Sequence, residues 1–388
     1  MADLSSARPR AVLADILVSG GVAAPDRAVL LDAGTIRGIV ERSALPDDAE
    51  IVAEADIVSA GFIDLQINGA ADVMFNDTPT VEALRAIAWG ARQGGTAAIL
   101  PTFITDSAEA MDHAIDAVRA AMDQGVPGIA GIHLEGPFIN PSRKGTHEPA
   151  FIRMPEPEDA HHIVERTRGI PTLLTLAPER VTEDVISIFA AGGITVSLGH
   201  SDATLEEAAR GVDAGITVAT HLFNAMSQLG NREPGAVGAV LYDRRIRAGI
   251  IADGIHVHPS NLALAHRAKP DALFLVTDAM PTLAGTSDRF FIHGREIRLA
   301  DGRLVDPNGV LSGAQVSMIE SVRNAIRFME IEMPAALSLA TSVPADAARL
   351  SPGLGRIAPG ARAALTLLTA DLAVAGVIVD GTLFPPGH

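Results

Sequence analysis

Three side chains that can bind a metal ion stand where short β-forming runs of this sequence end. Glu135 lies in GIHLEGPF, His200 lies in SLGHSDAT, and His221 lies in VATHLFNAM. Two imidazoles and one carboxylate can hold a borderline divalent ion such as Zn²⁺ and leave a fourth position for water. Such an ion lowers the pKa of that water towards about 7, so that hydroxide becomes available at neutral pH. The three residues therefore predict a catalytic metal site.

A fourth candidate, Asp278, ends a later run in LVTDA. Its carboxylate can accept a proton from water as a general base. An isolated aspartate at such a point is often a helix N-cap instead. In the company of three ligand residues, the general-base role is favoured. His133, two residues before Glu135, is interpreted as a packing residue.

These candidates must be positioned by the elements of the chain, in which β-forming runs alternate with helical segments. The β-forming runs cover 62–68, 97–103, 128–136, 172–178, 195–201, 218–224, 247–254 and 273–279. Helical apolar spacing covers 79–93, 106–124, 159–168, 182–191, 204–213 and 259–268. The sixth connection is short and Gly-rich, which argues against a helix there. Eight such runs predict an α/β fold, a (β/α)₈ TIM-like barrel. A doubly wound open sheet stays an alternative, because strand number alone does not establish closure.

The barrel prediction explains why the candidate residues stand at strand ends. In a parallel barrel, the C-terminal ends of all strands open on one face, where such enzymes place their chemistry. Glu135, His200 and His221 would end the third, fifth and sixth strands, and Asp278 would end the eighth. We therefore expect the four side chains to converge.

The two ends of the chain differ from its centre. Residues 11–58 hold short alternating strands with the turn signals DAGT and LPDD, and the segment 362–384 repeats this pattern. We predict a small β-sandwich domain formed by both termini, residues 1–58 plus 359–388. Residues 59–358 would form the metal-dependent barrel domain.

Composition limits the partners. The net charge of −17 argues against nucleic acid and anionic membranes. No apolar run reaches the roughly 18 residues that span a bilayer, and the start of the chain lacks a signal-peptide pattern. The absence of cysteine excludes disulfides and thiolate metal sites and suits a reducing cytosol. We expect a cytoplasmic protein that acts on a small molecule.

Nine strings of the sequence carry a family resemblance, in order from about residue 60 to 315. They are GFIDLQINGA, ILPTFIT, GIHLEGPFIN, KGTHEPAF, SLGHSDAT, THLFNAMSQLGNREPG, IADGIHVHPSN, VTDAM and GVLSGA. Together they resemble the N-acetylglucosamine-6-phosphate deacetylase family of the amidohydrolase superfamily. A set of nine ordered matches is far more specific than any one of them.

The resemblance implies an activity and a set of site residues. The activity is hydrolysis of N-acetyl-D-glucosamine 6-phosphate to D-glucosamine 6-phosphate and acetate, in amino-sugar catabolism and cell-wall recycling. Glu135, His200 and His221 match the metal ligands, and Asp278 matches the catalytic acid/base. The matching substrate contacts are Thr146, His147, Asn224, Ala225, Arg232, His256, Leu311, Ser312, Gly313 and Ala314. The resemblance also implies a homodimer. Another N-acylated amino sugar phosphate, such as N-acetylgalactosamine 6-phosphate, stays open as the substrate.

The first predicted strand departs from the wider superfamily. Many amidohydrolases end this strand in His-x-His and use it to hold a second metal ion, whereas this sequence has Gln66 and Asn68. Neutral amides are poorer ligands for Zn²⁺ than imidazole, so we expect one divalent ion per chain. Zn²⁺ is favoured, although the same ligands accept Fe²⁺, Co²⁺ or Mn²⁺. Gln66 and Asn68 are expected to position water or substrate instead. A cyclic-amide hydrolase or a deaminase would favour the missing His-x-His, and a non-catalytic scaffold would have lost one of the four site residues.

Overall fold

A parallel sheet of eight strands, rolled into a barrel, forms the centre of the computed structural model, which describes residues 8–387. In chain order the strands are β1 (Arg10–Ser19), β2 (Val22–Asp32), β3 (Thr35–Glu41), β4 (Glu50–Ala60), β5 (Phe62–Ile67), β6 (Gly69–Ala70), β7 (Val73–Met74), β8 (Thr96–Ile104), β9 (Ile132–Glu135), β10 (Thr172–Leu176), β11 (Thr195–Leu198), β12 (Ile216–Ala219), β13 (Arg247–Ile251), β14 (Leu273–Val276), β15 (Arg289–Ile292), β16 (Arg295–Ala300), β17 (Arg303–Val305), β18 (Leu365–Leu368), β19 (Val374–Val379) and β20 (Thr382–Phe384). The helices are α1 (Val81–Gln93), α2 (Ala108–Asp123), α3 (Pro157–Arg166), α4 (Glu183–Ala191), α5 (Leu205–Ala214), α6 (Gly235–Tyr242), α7 (Pro259–Ala268), α8 (Met318–Met329), α9 (Met333–Leu339) and α10 (Ser342–Ala347).

The barrel consists of β5 and of β8 to β14, each parallel to its neighbours. Its first and last strands meet at their C-terminal ends. There the Asp278 amide donates to the Gln66 carbonyl at 2.8 Å, and the Asn68 amide donates to the Ala279 carbonyl at 2.8 Å. These bonds separate a barrel from an open sheet, so the predicted fold class is confirmed. Because the strands are buried on both faces, their sequences are nearly continuous apolar runs.

Polar side chains define where several barrel helices begin. The Thr80 side chain accepts from the Ala83 amide at the start of α1, and Ser107 accepts from the Ala110 amide at the start of α2. Thr204 forms a capping box at the start of α5. Each cap satisfies an amide that has no partner within its helix and stabilises the helix by about 1 kcal/mol. The six helices predicted from apolar spacing are all present.

The connection between the sixth and seventh barrel strands, β12 and β13, contains the helix α6, so the expectation that no helix forms there was wrong. Residues Gly235 to Val240 are all buried in this helix. A helix that is buried on every side shows no alternation of apolar and polar faces, which is the signal used to recognise helices. Gly235 also has a φ of +63°, a conformation that glycine adopts without strain. Burial therefore stabilises α6 where the sequence pattern gives no indication.

The two termini pair into one seven-stranded sheet in the order β20, β19, β18, β4, β1, β2, β3. Strand β18 joins β4 antiparallel, with Leu365 opposite Ala60. The far end of the sheet returns to the C-terminal part, since the Ile36 amide donates to the Ala361 carbonyl at 2.8 Å. The sheet has its own apolar cluster, which is separate from that of the barrel helices. The domain limits 1–58, 359–388 and 59–358 stay a prediction, and residues 1–7 and 388 lie outside the described chain.

A small antiparallel sheet of β15, β16 and β17 follows the last barrel strand. Its apolar side chains form a cluster with Met74, Ile104 and Met280. Ile104 and Met280 also contact the cavity at the barrel mouth, which the loop after β17 partly covers. The small sheet thus supports one wall of that cavity. Among residues 8–387, no helix has the length and apolar character that crossing a membrane requires.

Candidate active site

Glu135, His200 and His221 come together at the C-terminal mouth of the barrel. Each pair among His200 Nε2, His221 Nε2 and Glu135 Oε1 is separated by 3.0 Å. All three residues are buried, with at most 5% of their surface exposed. An ion with tetrahedral bonds of about 2.0–2.1 Å spaces its ligands about 3.3 Å apart, so the donor atoms fit a divalent ion of the size of Zn²⁺.

The protein holds two of these ligands in orientations suited to an ion. His200 Nδ1 lies 2.8 Å from the Arg143 carbonyl, to which it donates, so Nε2 keeps its lone pair for the ion. The Gln66 side-chain amide lies 3.2 Å from both oxygens of Glu135. His200 and His221 hold the pKa of Glu135 well below its usual value against the opposing effect of burial. Glu135 is therefore anionic at neutral pH, as a carboxylate must be to bind an ion.

The backbone at three site residues adopts an uncommon conformation. The φ angles of His200, His221 and Asp278 are +48°, +33° and +50°. Such a conformation costs a non-glycine residue about 1–3 kcal/mol and persists only where neighbouring groups hold it. Here the three carbonyls accept hydrogen bonds from the amides of Asn140, Asn224 and Ala314, each at 2.9 Å. The turn directs these side chains into the barrel mouth instead of along the strand.

Asp278 lies beside the ligands as the candidate general base. Burial, and then the nearby charge of Glu135, raise its pKa to about 6. The Asn68 side-chain amide donates to Asp278 Oδ1 at 2.7 Å, and the Gln66 side-chain amide donates to the same atom at 3.2 Å. A base is most effective when its pKa lies near the working pH, so this carboxylate is suited to exchange protons near neutrality.

His147 packs against the metal site from the cavity wall. Its ring centre lies 4.3 Å from that of His200. Burial, followed by the charge of His200, holds the pKa of His147 well below its usual value, so the ring is neutral. Nδ1 lies 2.7 Å from Thr105 Oγ1 and 3.4 Å from the Thr105 amide nitrogen. With Nδ1 accepting the amide proton, Nε2 carries a proton that can be donated to a ligand.

A cavity of about 510 Å³ opens over these side chains, within the usual range for small-molecule sites. The predicted site residues that line it are Asn68, Glu135, Thr146, His147, His200, His221, Asn224, Ala225, His256, Asp278, Leu311 and Gly313. Gln66 lies behind Glu135, and Ser312 and Ala314 are buried beneath the cavity wall. Arg232 is exposed on the loop after β12 and does not line this cavity within one chain.

Sequence reasoning missed two polar residues of the cavity wall, Ser142 and Arg143. Arg143 pairs with Asp202, with Nη2 2.7 Å from Oδ1, while its carbonyl accepts from His200. Ser142 and Arg143 lie four and three residues before the predicted contact Thr146, and this closeness in sequence was the available signal. Their position depends on the turn of the chain after β9, which sequence pattern does not specify.

Comparisons with known proteins agree with this architecture. The Amidohydrolase family profile matches residues 57–384. The chain is 42% identical over 327 residues to an N-acetylgalactosamine-6-phosphate deacetylase of Shewanella sp. (strain ANA-3), covering 84% of this chain and 82% of that protein. It is 35% identical over 360 residues to an N-acetylglucosamine-6-phosphate deacetylase of Haemophilus influenzae, covering 92% and 94%.

Solved structures give the same result. The crystal structure of N-acetylglucosamine-6-phosphate deacetylase from Pasteurella multocida superposes with a TM-score of 0.93 at 35% identity, covering 97% of this chain and all of that one. A Mycobacterium smegmatis N-acetyl-D-glucosamine-6-phosphate deacetylase mutant in complex with N-acetyl-D-glucosamine-6-phosphate superposes with a TM-score of 0.89 at 26% identity, covering 97% and 99%.

Proposed function

Because the chain belongs to the amidohydrolase family, we propose that it hydrolyses N-acetyl-D-glucosamine 6-phosphate to D-glucosamine 6-phosphate and acetate. The observation that carries the proposal is the convergence of a Glu–His–His donor set and the partly buried Asp278 in one cavity at the barrel mouth. The relatives of known name support the substrate class, an N-acetylated amino sugar 6-phosphate. The proposed role lies in amino-sugar catabolism and cell-wall recycling.

Glu135, His200 and His221 would hold one divalent ion per chain, with Zn²⁺ favoured over Fe²⁺, Co²⁺ or Mn²⁺. When bound, such an ion supplies a Lewis acid and makes hydroxide available at neutral pH. The single-ion proposal is supported by the side-chain amides of Gln66 and Asn68, because their N–H groups point at the carboxylates of Glu135 and Asp278. A second ion would need lone pairs in the place of these N–H groups.

The remaining steps belong to side chains of the chain itself. Asp278 accepts a proton from the attacking water and later transfers it to the departing amine. Asn68 holds the Asp278 carboxylate in one orientation through the 2.7 Å bond to Oδ1. His147 Nε2 donates to the acetyl oxygen as negative charge develops there. The Asp278 carboxylate and the His147 ring are both held by hydrogen bonds before the reaction, so little reorganisation of these groups is needed.

Recognition of the phosphate requires a positive group in an acidic protein. His256 lines the cavity, and its Nδ1 lies 2.6 Å from Asp253 Oδ2. This bond leaves Nε2 as the ring atom available to a ligand. We propose His256 as one phosphate contact and Arg232 as another, since a guanidinium binds phosphate with paired donors.

In the expected homodimer, the exposed Arg232 would complete the site of the partner subunit. Leu229, on the same loop, is 61% exposed, and Tyr242 at the end of α6 is 83% exposed. The proposed interface would cover both side chains. Sedimentation of the purified protein would give its oligomeric state. The expected cytoplasmic location stays a prediction.

A complementation experiment tests whether Arg232 acts across subunits. Arg232→Ala alone is expected to reduce kcat/KM on the phosphorylated sugar by about 10- to 150-fold, the scale of a lost charge-assisted hydrogen bond, with little effect on unphosphorylated N-acetylglucosamine. Asp278→Asn alone inactivates its own subunit. If Arg232 serves the partner, refolding the two variants together restores one intact site per mixed dimer. Absence of recovery in mixed dimers would assign Arg232 to its own subunit or to the fold.

The decisive test of the activity is acetate release from N-acetylglucosamine 6-phosphate by metal-loaded protein, with elemental analysis after dialysis. Saturation of activity at one ion per chain is expected, and saturation only at two would contradict the single-ion proposal. A second candidate substrate is N-acetylgalactosamine 6-phosphate, which the 42% identical Shewanella relative supports. The ratio of kcat/KM for the two epimers decides between the substrates.

A further inference from the structure

Beneath the three ligand residues, a continuous chain of hydrogen bonds crosses the barrel interior. His133 Nε2 lies 2.7 Å from Thr175 Oγ1, which lies 2.7 Å from Thr220 Oγ1, and this atom lies 2.6 Å from Ser197 Oγ. We name these four residues the hydroxyl belt. All are buried, with at most 4% of their surface exposed. Hydrogen bonds in such a dry interior are costly to break, because water cannot replace the lost partner.

The belt joins the strands from which the ligands come. Each ligand strand supplies one belt residue: His133 on β9 with Glu135, Ser197 on β11 with His200, and Thr220 after β12 with His221. Thr175 comes from β10 and bridges the gap between β9 and the other two. A displacement of any one ligand strand along the barrel axis would therefore strain the belt.

Close packing connects the belt to the backbone that bears His200. A Cβ atom at Gly199 would lie 2.6 Å from Thr175 Cγ2 and 3.0 Å from Thr220 Cβ. Thr175 and Thr220 thus pack directly against the backbone of Gly199, one residue before His200. Only glycine allows this approach, and the approach limits how far His200 can move towards the barrel interior.

Within the part of the chain that the structure describes, the ring of His221 lacks a hydrogen bond of the kind that orients the ring of His200. His200 Nδ1 is held by the Arg143 carbonyl, whereas His221 Nδ1 is buried without a hydrogen-bond partner among residues 8–387. A metal-binding histidine is usually oriented by a bond to its second nitrogen. Because His221 lacks that bond, its orientation rests on its backbone, and Thr220 is the residue directly before it.

We propose that the hydroxyl belt is a positioning device that sets the spacing of the three ligand atoms and thereby the affinity of the site for its ion. The inference rests on the metal site of the proposed function and adds residues that touch neither ion nor substrate. The physical reason is that the lone pairs which His200 and His221 must both direct at one ion repel each other across 3.0 Å until the ion is bound, so other contacts must maintain this spacing. Supporting contacts of this kind typically change metal affinity by 10- to 100-fold.

Two substitutions at one position separate hydrogen bonding from packing. Thr220→Val keeps the branched shape and removes the hydroxyl, and Thr220→Ser keeps the hydroxyl and removes a methyl group. Metal-free protein is titrated with Co²⁺ alone, and its visible absorption reports both the dissociation constant and the ligand geometry. We expect Thr220→Val to bind Co²⁺ about 10- to 100-fold more weakly, with an altered spectrum. Thr220→Ser should stay within about 3-fold of the wild-type chain, well below that 10-fold lower bound.

Thr366→Val is the matched control for general loss of stability. Thr366 is also fully buried, accepts from the Phe62 amide at 3.1 Å and donates to the Gly95 carbonyl at 2.7 Å, but it lies on β18 of the terminal sheet, away from the ligand strands. Its loss should lower the melting temperature without changing the Co²⁺ dissociation constant. If Thr220→Val does not fold, Thr175→Val and Thr175→Ser provide the same comparison one belt position away.

The outcomes are distinct. Weak Co²⁺ binding by the valine variants alone supports the proposal. The proposal is overturned if Thr220→Val binds Co²⁺ as tightly as the wild-type chain does. It is also overturned if Thr220→Val and Thr220→Ser weaken Co²⁺ binding equally, because the effect would then come from packing. Equal weakening in Thr366→Val overturns it as well. None of these results depends on acetate release, so the proposed function can fail or hold independently.

Discussion

The barrel interior contains two adjacent layers of polar side chains whose hydrogen bonding differs. In the lower layer, the two ring nitrogens of His133 lie 3.3 Å from Thr102 Oγ1 and 2.7 Å from Thr175 Oγ1, and burial lowers its pKa to about 4. In the upper layer, His200 and His221 direct their Nε2 atoms at each other across 3.0 Å. Two histidine nitrogens at this distance cannot both use a lone pair or both use a proton without an intervening partner.

The comparison shows why similar residue types serve different purposes a few ångströms apart. His133 and Glu135 lie two residues apart on β9 and are both buried. His133 is satisfied by hydroxyls of its own chain, so it stabilises the fold as a neutral residue. Glu135 belongs to a set of donor atoms whose geometry suits an ion. Ligand atoms that converge on one point, and not buried polar atoms as such, identify the functional layer.

The largest effect is expected from a substitution that removes one of the three predicted metal ligands from the upper layer. His221→Ala leaves two protein ligands, which is too few for a stable catalytic site. We expect the ion to be lost on dialysis, with metal affinity falling by more than the roughly 100-fold that a supporting contact costs. Elemental analysis and acetate release should decline together. Retention of a full equivalent of metal would remove His221 from the ligand set. His266→Ala, on the outer helix α7, is the control and should keep its metal.

The next effect separates catalysis from metal binding within the same layer. Asp278→Asn keeps the side-chain shape and removes the proton acceptor. Turnover is expected to fall by roughly 10²–10⁴-fold, the usual contribution of a general base, while metal content stays constant. Steady-state kinetics at saturating metal measures the effect. Turnover close to that of the wild-type chain would exclude Asp278 as the base.

A third prediction concerns Asp64, which is fully buried below Asp278. Its carboxylate accepts hydrogen bonds from the backbone amides of Gln66 and Thr277, both at 3.2 Å, and from the Thr277 hydroxyl. Burial raises the pKa of Asp64 to about 7. The folded state therefore holds this proton more tightly than the unfolded chain, whose ordinary pKa is 3.8. The resulting stabilisation is fully present below pH 3.8 and is lost as the pH rises through about 7.

Asp64→Asn isolates this effect, because asparagine does not titrate. Between pH 5 and pH 8, the wild-type chain should lose about 3 kcal/mol of unfolding free energy relative to the variant. Urea denaturation of both proteins at the two pH values provides the measurement. Parallel pH dependence of the two proteins would mean that Asp64 is already ionised in the folded state at pH 5.

The smallest effect is expected from a substitution in the lower layer that changes stability and not metal binding. Thr102→Val removes the acceptor of the Ile67 amide, now at 3.0 Å, and one partner of His133. Leaving buried groups without partners should cost about 1–3 kcal/mol of unfolding free energy. Because Thr102 lies on β8, which carries no ligand, the Co²⁺ dissociation constant should not change. Weaker Co²⁺ binding in this variant would mean that the layers are coupled beyond the hydroxyl belt.

The sequence by itself determined the eight parallel strands with their helices, the family and the set of residues expected at the strand ends, whereas closure into a barrel was visible only in the structure. Apolar runs separated by helical spacing specify a parallel sheet, because strands buried on both faces must be apolar throughout. Residues directly after such runs are then brought to one rim by the geometry of the barrel. The helix α6 escaped this reasoning because a helix buried on all sides has no polar face.

Only the tertiary structure decided which of these residues share a cavity and which groups hold them there. Arg232 is exposed and Arg143 lines the cavity, because loop paths depend on distant contacts and not on local sequence. The left-handed turns at His200 and Asp278 are held by hydrogen bonds from distant segments of the chain, whereas Asn224, three residues later, holds the turn at His221. The hydroxyl belt depends on the register of four strands, and a shift of one residue would turn each belt side chain out of the barrel interior.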